Sequence, residues 1–341
     1  MKFNLKQSPI DERDYTYKSV VGVIEDLPES YDRENECSPV RDQGDYGFCY
    51  AFAGEGLKEQ QEWQEWPDIK PIFSPLFLAK HCKDIDGVPD EEGSYLRIVC
   101  KVLSDTGICL ESNYPYDGYE GNLKFPEMSD EIYTEANKYK IKSYASCTSL
   151  EEIKSAIVNK GLVLAGIMVY LNFLTPENGF VAYPSGTYKG GHAIALVGYY
   201  NNLSHTYTDG TTRTGFLKCR NSWNKDWGIN DYFYLPYDFY NGKPDYGYPY
   251  FMEAWSSIDI IENVPKTIKE YYRVQVGAFS IKNNCTKLQN ELNLKGFATY
   301  MVQKDNLWKV QCGAFLVKPN AENMKQKLID AGYSDAWLTY Y

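Results

Sequence analysis

The sequence contains only three histidines, His81, His192 and His205, among its 341 residues. Any catalytic or metal site that needs an imidazole must therefore use one of these three side chains. The nine cysteines show none of the paired C-x₂-C spacings that bind zinc. We therefore expect neither a metal nor any other cofactor.

Long apolar runs are also missing. No stretch reaches the ~20 apolar residues of a membrane-spanning helix, so we expect no membrane partner. The polar N-terminus, residues 1–9, lacks the apolar stretch of a signal peptide. We expect the chain to be synthesised in the cytoplasm.

The chain also has no surplus of positive charge. It contains 35 Lys and Arg and 46 Asp and Glu, which gives a net charge of −11. Nucleic-acid-binding proteins carry basic surfaces, so nucleic acid is not expected as a partner. Aromatic side chains, by contrast, are abundant at 16% of residues, with 31 tyrosines. The length suffices for two domains.

One loop and the helix after it contain the most distinctive cysteine. Turn-forming residues crowd the stretch 38–48, and the pattern after it predicts a helix over residues 48–63. Cys49 thus lies at a helix start, where the helix dipole favours the thiolate. The side-chain amide of Gln43 and the backbone N–H of Cys49 are suited to form an oxyanion hole. Taken alone, such a cysteine is more often a small buried apolar residue.

A candidate base and a residue to orient it follow in the second half of the chain. His192 comes after two glycines, in an apolar strand predicted over residues 192–200. Asn221 follows the strand predicted over residues 214–219. We assign no role to the other histidines, and we place His205 in a polar, exposed loop. A single histidine on a strand is more often structural, so the case for His192 depends on the residues around it.

Together these stretches resemble the papain family of cysteine peptidases. Gln43, then Cys-Tyr-Ala-Phe at 49–52, Gly-His-Ala-Ile at 191–194 and Asn-Ser-Trp at 221–223 follow that family's order. The resemblance implies an α+β, two-lobe fold in which a helical lobe carries the nucleophile and a β-rich lobe carries the base. The active site is then the cleft between the lobes.

The resemblance also implies a role for each matched residue. Cys49 would be the nucleophile, His192 the base, Asn221 its orienting partner and Gln43 the oxyanion donor. Trp223 would shield the hydrogen bond between His192 and Asn221 from water.

Two glycines match the positions where that family binds the substrate backbone. Gly93 corresponds to a glycine wall in the helical lobe, and Gly191 precedes the candidate base. We therefore expect Gly93, Gly191 and Trp223 to contact the substrate.

The sequence departs from the family pattern in two places. Tyr46 replaces a cysteine that normally forms a disulfide, which is consistent with a reducing compartment and free thiols elsewhere. Asn224, Asp226 and Asp231 replace glycines in the loop after Trp223. Because Asn and Asp tolerate left-handed backbone best among non-glycine residues, we expect the loop to keep its path.

The last 70 residues contain an internal repeat. Val-Gln-x-Gly-Ala-Phe occurs at 274–279 and again at 310–315. Each copy is followed by a predicted helix (283–294, 321–331) and a second strand (298–303, 336–340), which gives the order βαββαβ. This pattern resembles the SPOR (sporulation-related repeat) domain, a family that binds peptidoglycan glycan strands. Residues 271–341 hold nine Lys and Arg against five Asp and Glu, a net charge of +4 that suits an acidic polymer.

The sequence thus predicts four segments: an N-terminal surface strap or short pro-like segment (1–36), a peptidase domain (37–262), a linker (263–270) and a SPOR-like domain (271–341). The favoured function is that of a cysteine endopeptidase. Its SPOR-like domain would direct it to the bacterial cell wall by binding peptidoglycan. The alternative is a wall-binding protein with a non-catalytic papain-like scaffold. An RNA-recognition interpretation of the βαββαβ order is weaker, because the paired aromatics that it requires are absent.

Overall fold

The computed structural model describes residues 2–242, 249–258, 272–295, 297, 299–315 and 318–340. The chain divides into two compact units, Met1–Pro9 with Tyr15–Glu262, and Ile10–Asp14 with Asn263–Tyr341. The predicted linker, residues 263–270, lies outside the described residues, so the domain boundaries stay a prediction.

The larger unit contains a group of helices and an antiparallel sheet. Its helices are α1 (Tyr17–Val20), α2 (Cys49–Glu65), α3 (Pro75–Ile85), α4 (Leu96–Asp105), α5 (Asp130–Ala136), α6 (Leu150–Lys160) and α7 (Asp238–Asn241), with 3₁₀ turns at Glu34–Glu36 and Leu171–Leu174. Its strands are β1 (Ser30–Asp32), β2 (Ser143–Ser146), β3 (Val163–Tyr170), β4 (Tyr188–Thr206), β5 (Thr212–Arg220), β6 (Tyr232–Pro236) and β7 (Phe251–Ile258). In the described part of the chain, no helix is both long and apolar enough to cross a membrane.

Local sequence explains how the helical lobe is assembled. Helix α3 begins as predicted, with Ser74 as N-cap accepting the N–H of Phe77 at 3.0 Å and Pro75 at the first position. Helix α2 keeps a glycine, Gly54, in its interior because a Cβ there would lie 2.5 Å from a methyl group of Val99 on α4. That glycine therefore lets the two helices pack closely.

The β-rich lobe is a sheet with strand order β2-β7-β3-β4-β5-β6, to which β1 adds by pairing with β4. Its neighbouring strands are antiparallel, and a second apolar core lies against α6. The prediction of a loop at His205 is wrong, because the β4–β5 hairpin extends further than expected. His205 pairs with Arg213 in that hairpin, and its ring stacks on Phe180 at 4.2 Å.

The smaller unit has the predicted βαββαβ order. Its elements are β8 (Tyr272–Phe279), α8 (Lys282–Leu294), β9 (Thr299–Lys304), β10 (Leu307–Phe315), α9 (Lys318–Asp330) and β11 (Trp337–Tyr340). The strand order is β11-β8-β10-β9, so the two repeat strands, β8 and β10, lie side by side and antiparallel. Buried residues of both helices, among them Leu292 and Leu328, share one core with Val274 and Val310. Both helices therefore cover the same face of the sheet.

Candidate active site

The candidate nucleophile lies where the sequence places it. Cys49 is the first residue of α2, and its side chain is fully buried. The backbone N–H of Ala193 on β4 donates to its Sγ at 3.4 Å. The helical lobe and the β-rich lobe therefore meet at this sulfur atom.

His192 and Asn221 form the hydrogen bond that the sequence comparison implies. Nε2 of His192, on β4, lies 2.7 Å from Oδ1 of Asn221, which directly follows β5. Because a carbonyl oxygen only accepts, Nε2 carries the proton. Among the residues that the structure describes, none hydrogen-bonds Nδ1 of His192. Nδ1 is thus the ring nitrogen that can exchange a proton with a reacting group.

Aromatic rings enclose this pair. The Trp223 indole lies 4.7 Å from the imidazole centroid of His192, and Phe173 packs on the indole at 5.5 Å. This packing covers the bond between His192 and Asn221, the place where the resemblance puts Trp223. The contribution of Phe173 was missed because its position in a 3₁₀ turn carries no sequence signal.

The amide of Gln43 is fixed at both of its polar atoms. Its Oε1 accepts the hydroxyl of Ser222 at 2.7 Å, and its Nε2 donates to the carbonyl of Tyr46 at 2.7 Å. An amide nitrogen has two hydrogens, so one donor remains for an oxyanion. Ser222 was not singled out from the sequence, although it lies inside the Asn-Ser-Trp motif.

The cleft between the lobes contains the chain's own N-terminal residues. Leu5 donates its N–H to the carbonyl of Gly191 at 3.0 Å, and Lys6 donates to the carbonyl of Ser94 at 3.0 Å. A Cβ at Gly93 would lie 1.8 Å from the carbonyl oxygen of Asn4, and one at Gly191 would lie 2.2 Å from that of Leu5. Both predicted substrate-binding glycines thus allow a peptide backbone to approach that a side chain would block.

We call residues 2–6 the cleft segment. Leu5 is only 4% exposed, and the Phe3 ring lies 5.9 Å from His192 and 5.6 Å from Trp223. A strap along the outer surface is therefore wrong for these residues, which lie inside the cleft. Sequence reasoning missed Phe3 and Leu5 because a short polar lead has no periodicity from which contacts can be predicted.

Burial shifts the pKa values of the candidate catalytic pair. Desolvation raises the pKa of Cys49 to about 11, and it lowers the pKa of His192 to about 4 even though Asn221 opposes the shift. The backbone N–H groups of Tyr50 and Cys49 at the helix start lower the pKa of the thiol, as expected, but burial outweighs them.

The loop after Trp223 has left-handed backbone, as predicted, at two of the three positions where Asn or Asp replaces a glycine. Asn224 and Asp231 have φ of 81° and 66°, whereas Asp226 is not in the left-handed region. Asp231 also has a function that its backbone angle did not predict. The Oδ2 atom of its carboxyl group accepts the N–H of Trp223 at 2.7 Å, and its backbone carbonyl accepts that of Asn221 at 2.9 Å. It thereby positions the residues next to His192.

Tyr46, which stands where a disulfide-forming cysteine was expected, is held by contacts with Tyr119 instead. Its hydroxyl donates to the carbonyl of Tyr119 at 3.0 Å, and the two rings meet edge to face at 4.9 Å. All nine cysteines are free thiols, and eight of them are buried.

Comparison with known proteins identifies two families. The sequence profile of the papain family of cysteine proteases matches residues 27–242, and that of the SPOR domain matches residues 269–340. Cathepsin B-like CP2 of Giardia intestinalis is 29% identical over 220 residues, which cover 61% of this chain and 69% of that protein. Cathepsin J of Mus musculus is 28% identical over 222 residues, covering 63% of this chain and 62% of that protein.

Solved structures show the same fold. Xylellain, a cysteine protease from Xylella fastidiosa, superposes with a TM-score of 0.62 at 24% identity and covers 76% of this chain and 96% of its own. Procathepsin B S9 from Trypanosoma congolense gives a TM-score of 0.55 at 18% identity, covering 75% and 87%. At these identities the likeness concerns the fold alone.

Proposed function

Because the chain belongs to the papain family of cysteine proteases, we propose that it hydrolyses peptide bonds through Cys49, His192 and Asn221. One observation carries this assignment. The Sγ of Cys49 lies 3.4 Å from the backbone nitrogen of Ala193, next to His192, whose Nε2 lies 2.7 Å from Oδ1 of Asn221. A nucleophile, a base and an orienting group therefore occupy one cleft.

The reaction starts with transfer of the thiol proton of Cys49 to Nδ1 of His192. The thiolate attacks the peptide carbonyl, while Gln43 and the N–H of Cys49 stabilise the oxyanion. His192 then gives its proton to the leaving amine, and a thioester forms on Cys49. Water, deprotonated by His192, hydrolyses the thioester and restores the thiol.

The cleft segment makes the described form a latent one. Leu5 and Phe3 fill the space beside Cys49 and His192, so a substrate binds only after residues 2–6 leave. Departure of the segment also admits water and allows the pKa values of Cys49 and His192 to approach each other. We therefore favour a pro-like role for residues 2–6.

The SPOR domain supports binding to peptidoglycan glycan strands at the bacterial cell wall. On β11, Leu338 packs in the core, and side chains alternate along a strand, so Trp337 faces away from the helices. Trp337 pairs with Gln275 of the first repeat and is 39% exposed. Gln275 itself is buried and accepts a hydrogen bond from Gln311, so the exposed indole is the part suited to pack on a sugar ring.

A pull-down with purified sacculi tests this targeting. The full-length protein should sediment with sacculi, and more strongly after an amidase has removed the stem peptides. Trp337→Ala should weaken binding about tenfold, since it removes a stacking surface. Trp66→Ala, which replaces an exposed tryptophan of the peptidase unit, is the matched control and should bind normally. No sedimentation with either preparation would refute glycan targeting.

The alternative function, a wall-binding protein with an inactive scaffold, makes a different prediction. A thiol-directed peptidyl electrophile should label Cys49 once the cleft is open if the protein is a peptidase. Absence of labelling in a variant whose cleft segment has been displaced would favour the scaffold.

A further inference from the structure

Asp231 places a buried carboxyl group next to the proposed catalytic residues. It stands where the papain-family pattern has a glycine, and its φ of 66° is a left-handed conformation that glycine adopts at lower cost. The residue is completely buried, and its backbone carbonyl accepts the N–H of Asn221 at 2.9 Å. An ionisable side chain is thus held at a position where the backbone alone would favour glycine.

The two oxygens of this carboxyl group have different surroundings. Oδ2 accepts the backbone N–H of Trp223 at 2.7 Å. Among the residues that the structure describes, neither Oδ1 of Asp231 nor the buried Nδ2 of Asn221 has a hydrogen bond of full geometry. The Asn221 amide is nevertheless close enough to lower the pKa of the Asp231 carboxyl group. A spare acceptor and a spare donor therefore lie side by side.

The orientation of the Asn221 amide decides which nitrogen of His192 carries the proton. In the described orientation Oδ1 lies 2.7 Å from Nε2, so Nε2 is protonated and Nδ1 can take the thiol proton of Cys49. A half-turn of the amide would put Nδ2 in place of Oδ1. Because Nδ2 only donates, the ring proton would then be on Nδ1, which could no longer accept a proton. Only one orientation of the amide is productive.

We propose that ionised Asp231 is a positioning residue that turns the oxygen of Asn221 towards His192 and so keeps the ring proton on Nε2. A carboxylate only accepts, so it attracts the amide hydrogens and leaves the amide oxygen for His192. A carboxyl group protonated on Oδ1 donates instead, and it favours the opposite orientation. Conversion to the productive form releases the Asp231 proton to solvent, turns the amide and moves the ring proton from Nδ1 to Nε2 by exchange with water. This inference rests on the proposed peptidase function.

The orientation of the amide then depends on pH. Burial raises the pKa of Asp231 to about 8 with a contribution from Asp42, whereas a backbone N–H, the charge of Arg220 and the Asn221 amide oppose the shift. Asp42 lies in the exposed loop before α2, and Arg220 ends β5. Burial lowers the pKa of His192, on β4, to about 4, so this ring is neutral where Asp231 titrates. The productive orientation should therefore become dominant above about pH 8.

The test measures the tautomer of His192 by ¹⁵N NMR of protein labelled in histidine, which contributes only three rings. The signals of His192 are those that disappear in His192→Gln. In the wild-type chain the ring should be mainly the Nδ1–H form at about pH 6 and mainly the Nε2–H form at about pH 9.5.

Asp231→Asn separates orientation of Asn221 from support of the loop. Its oxygen can still accept the N–H of Trp223, but its nitrogen now offers hydrogens to Asn221. The variant should keep His192 in the Nδ1–H form at both pH values. In a Leu5→Asp background, which displaces the cleft segment, it should lower kcat at about pH 9.5 by at least about tenfold with little change in KM, because the wrong tautomer cannot act as the base.

Two further variants change only exposed charges. Asp42→Asn removes a charge that raises the pKa of Asp231, yet it keeps an oxygen for the N–H of Gly44, which Asp42 accepts at 2.7 Å. It should move the midpoint of the tautomer change to lower pH. Asp226→Asn, the matched control, removes an exposed charge from the loop of Asp231 and should leave the midpoint unchanged. A merely structural contribution of Asp231 would give no shift in either variant.

The outcomes separate this inference from the function on which it rests. A single tautomer of His192 throughout this pH range in the wild-type chain, or the same pH course in Asp231→Asn, would overturn the positioning role and leave the peptidase function standing. Absence of all peptide cleavage by Leu5→Asp between about pH 6 and about pH 9.5 would refute the peptidase function instead.

Discussion

At the scale of single residues, Gln43 shows how the fold fixes a buried amide near the proposed nucleophile. Ser222 fixes its oxygen, and Tyr46 accepts one of its two amide hydrogens. In the proposed mechanism, the amide therefore needs no reorganisation when an oxyanion forms beside Cys49.

Replacement of Gln43 tests this role. Gln43→Ala should lower kcat by about 10²–10³, with a much smaller change in KM, because the donor acts on the oxyanion of the transition state. Steady-state kinetics on a fluorogenic peptide measures both constants. Ser222→Ala, which loosens the amide without removing it, should have a smaller effect. An unchanged kcat in Gln43→Ala would show that this side chain only shapes the loop.

Asp231 gives a prediction about pH. Burial, with a contribution from Asp42, raises its pKa to about 8, although the N–H of Trp223 and the charge of Arg220 oppose the shift. The folded protein thus keeps a proton that the unfolded chain releases near pH 4. The stability due to this group is present below pH 4 and is lost as pH rises towards 8.

Asp231→Asn should remove this loss of stability at higher pH. Its amide oxygen can still accept the N–H of Trp223, so the loop should keep its path. Relative to the wild type, the variant should gain at least about 1 kcal/mol of stability between pH 5 and pH 8. Thermal unfolding at the two pH values measures this difference, and the comparison cancels the opposite contribution of His192. The same pH dependence in both proteins would contradict the assignment.

The residues of the site differ in how well the sequence reveals them. Cys49, His192 and Asn221 each lie in a local motif, so their type and order could be recognised. Asp231 acts through distances that arise only after folding. Its neighbours in the sequence gave no indication of those contacts.

At the scale of secondary-structure elements, strand and helix positions followed from periodicity and capping. The Ser-Pro start of α3 and the apolar run of β3 are examples. The extension of β4 to Thr206 was not predictable, because the β4–β5 hairpin has polar side chains on both strands. Cross-strand pairs such as Ser204 with Thr214, 2.6 Å apart, stabilise it instead of an apolar face.

The cleft segment is the element with the largest consequence for activity. Its backbone bonds to Gly191 and Ser94 keep Leu5 buried above the catalytic pair. Leu5→Asp should expel the segment, since burying an unpaired carboxylate costs several kcal/mol. Alkylation of Cys49 by iodoacetamide at pH 7 should then become at least about tenfold faster, because a solvated thiol ionises more readily.

Mass spectrometry of the peptide that contains Cys49 measures this rate. Ile10→Asp introduces the same charge at a residue of the N-terminal lead that is 98% exposed, so it should not change the rate. If Cys49 reacted at one rate in the wild type and in Leu5→Asp, the cleft segment would not control access to the site.

At the scale of the whole molecule, the chain combines a papain-family peptidase unit with a SPOR domain. The SPOR repeat was visible in the sequence because both copies carry the same residues, and the acidic peptidase contrasts with the basic module in charge. Binding to the wall would raise the local concentration of substrates there without any new contact in the cleft. This division of functions requires that the cleft be catalytically competent.

Hydrolysis of a fluorogenic peptide tests this requirement most directly. It is measured for Cys49→Ala and Cys37→Ala, each in the wild-type chain and in the Leu5→Asp background. Cys37 is a half-buried thiol outside the cleft and serves as the control. We predict that Cys49→Ala lowers kcat by about 10⁴-fold or more while thermal unfolding is unchanged, and that Cys37→Ala keeps full activity. Undiminished turnover by Cys49→Ala would contradict the account.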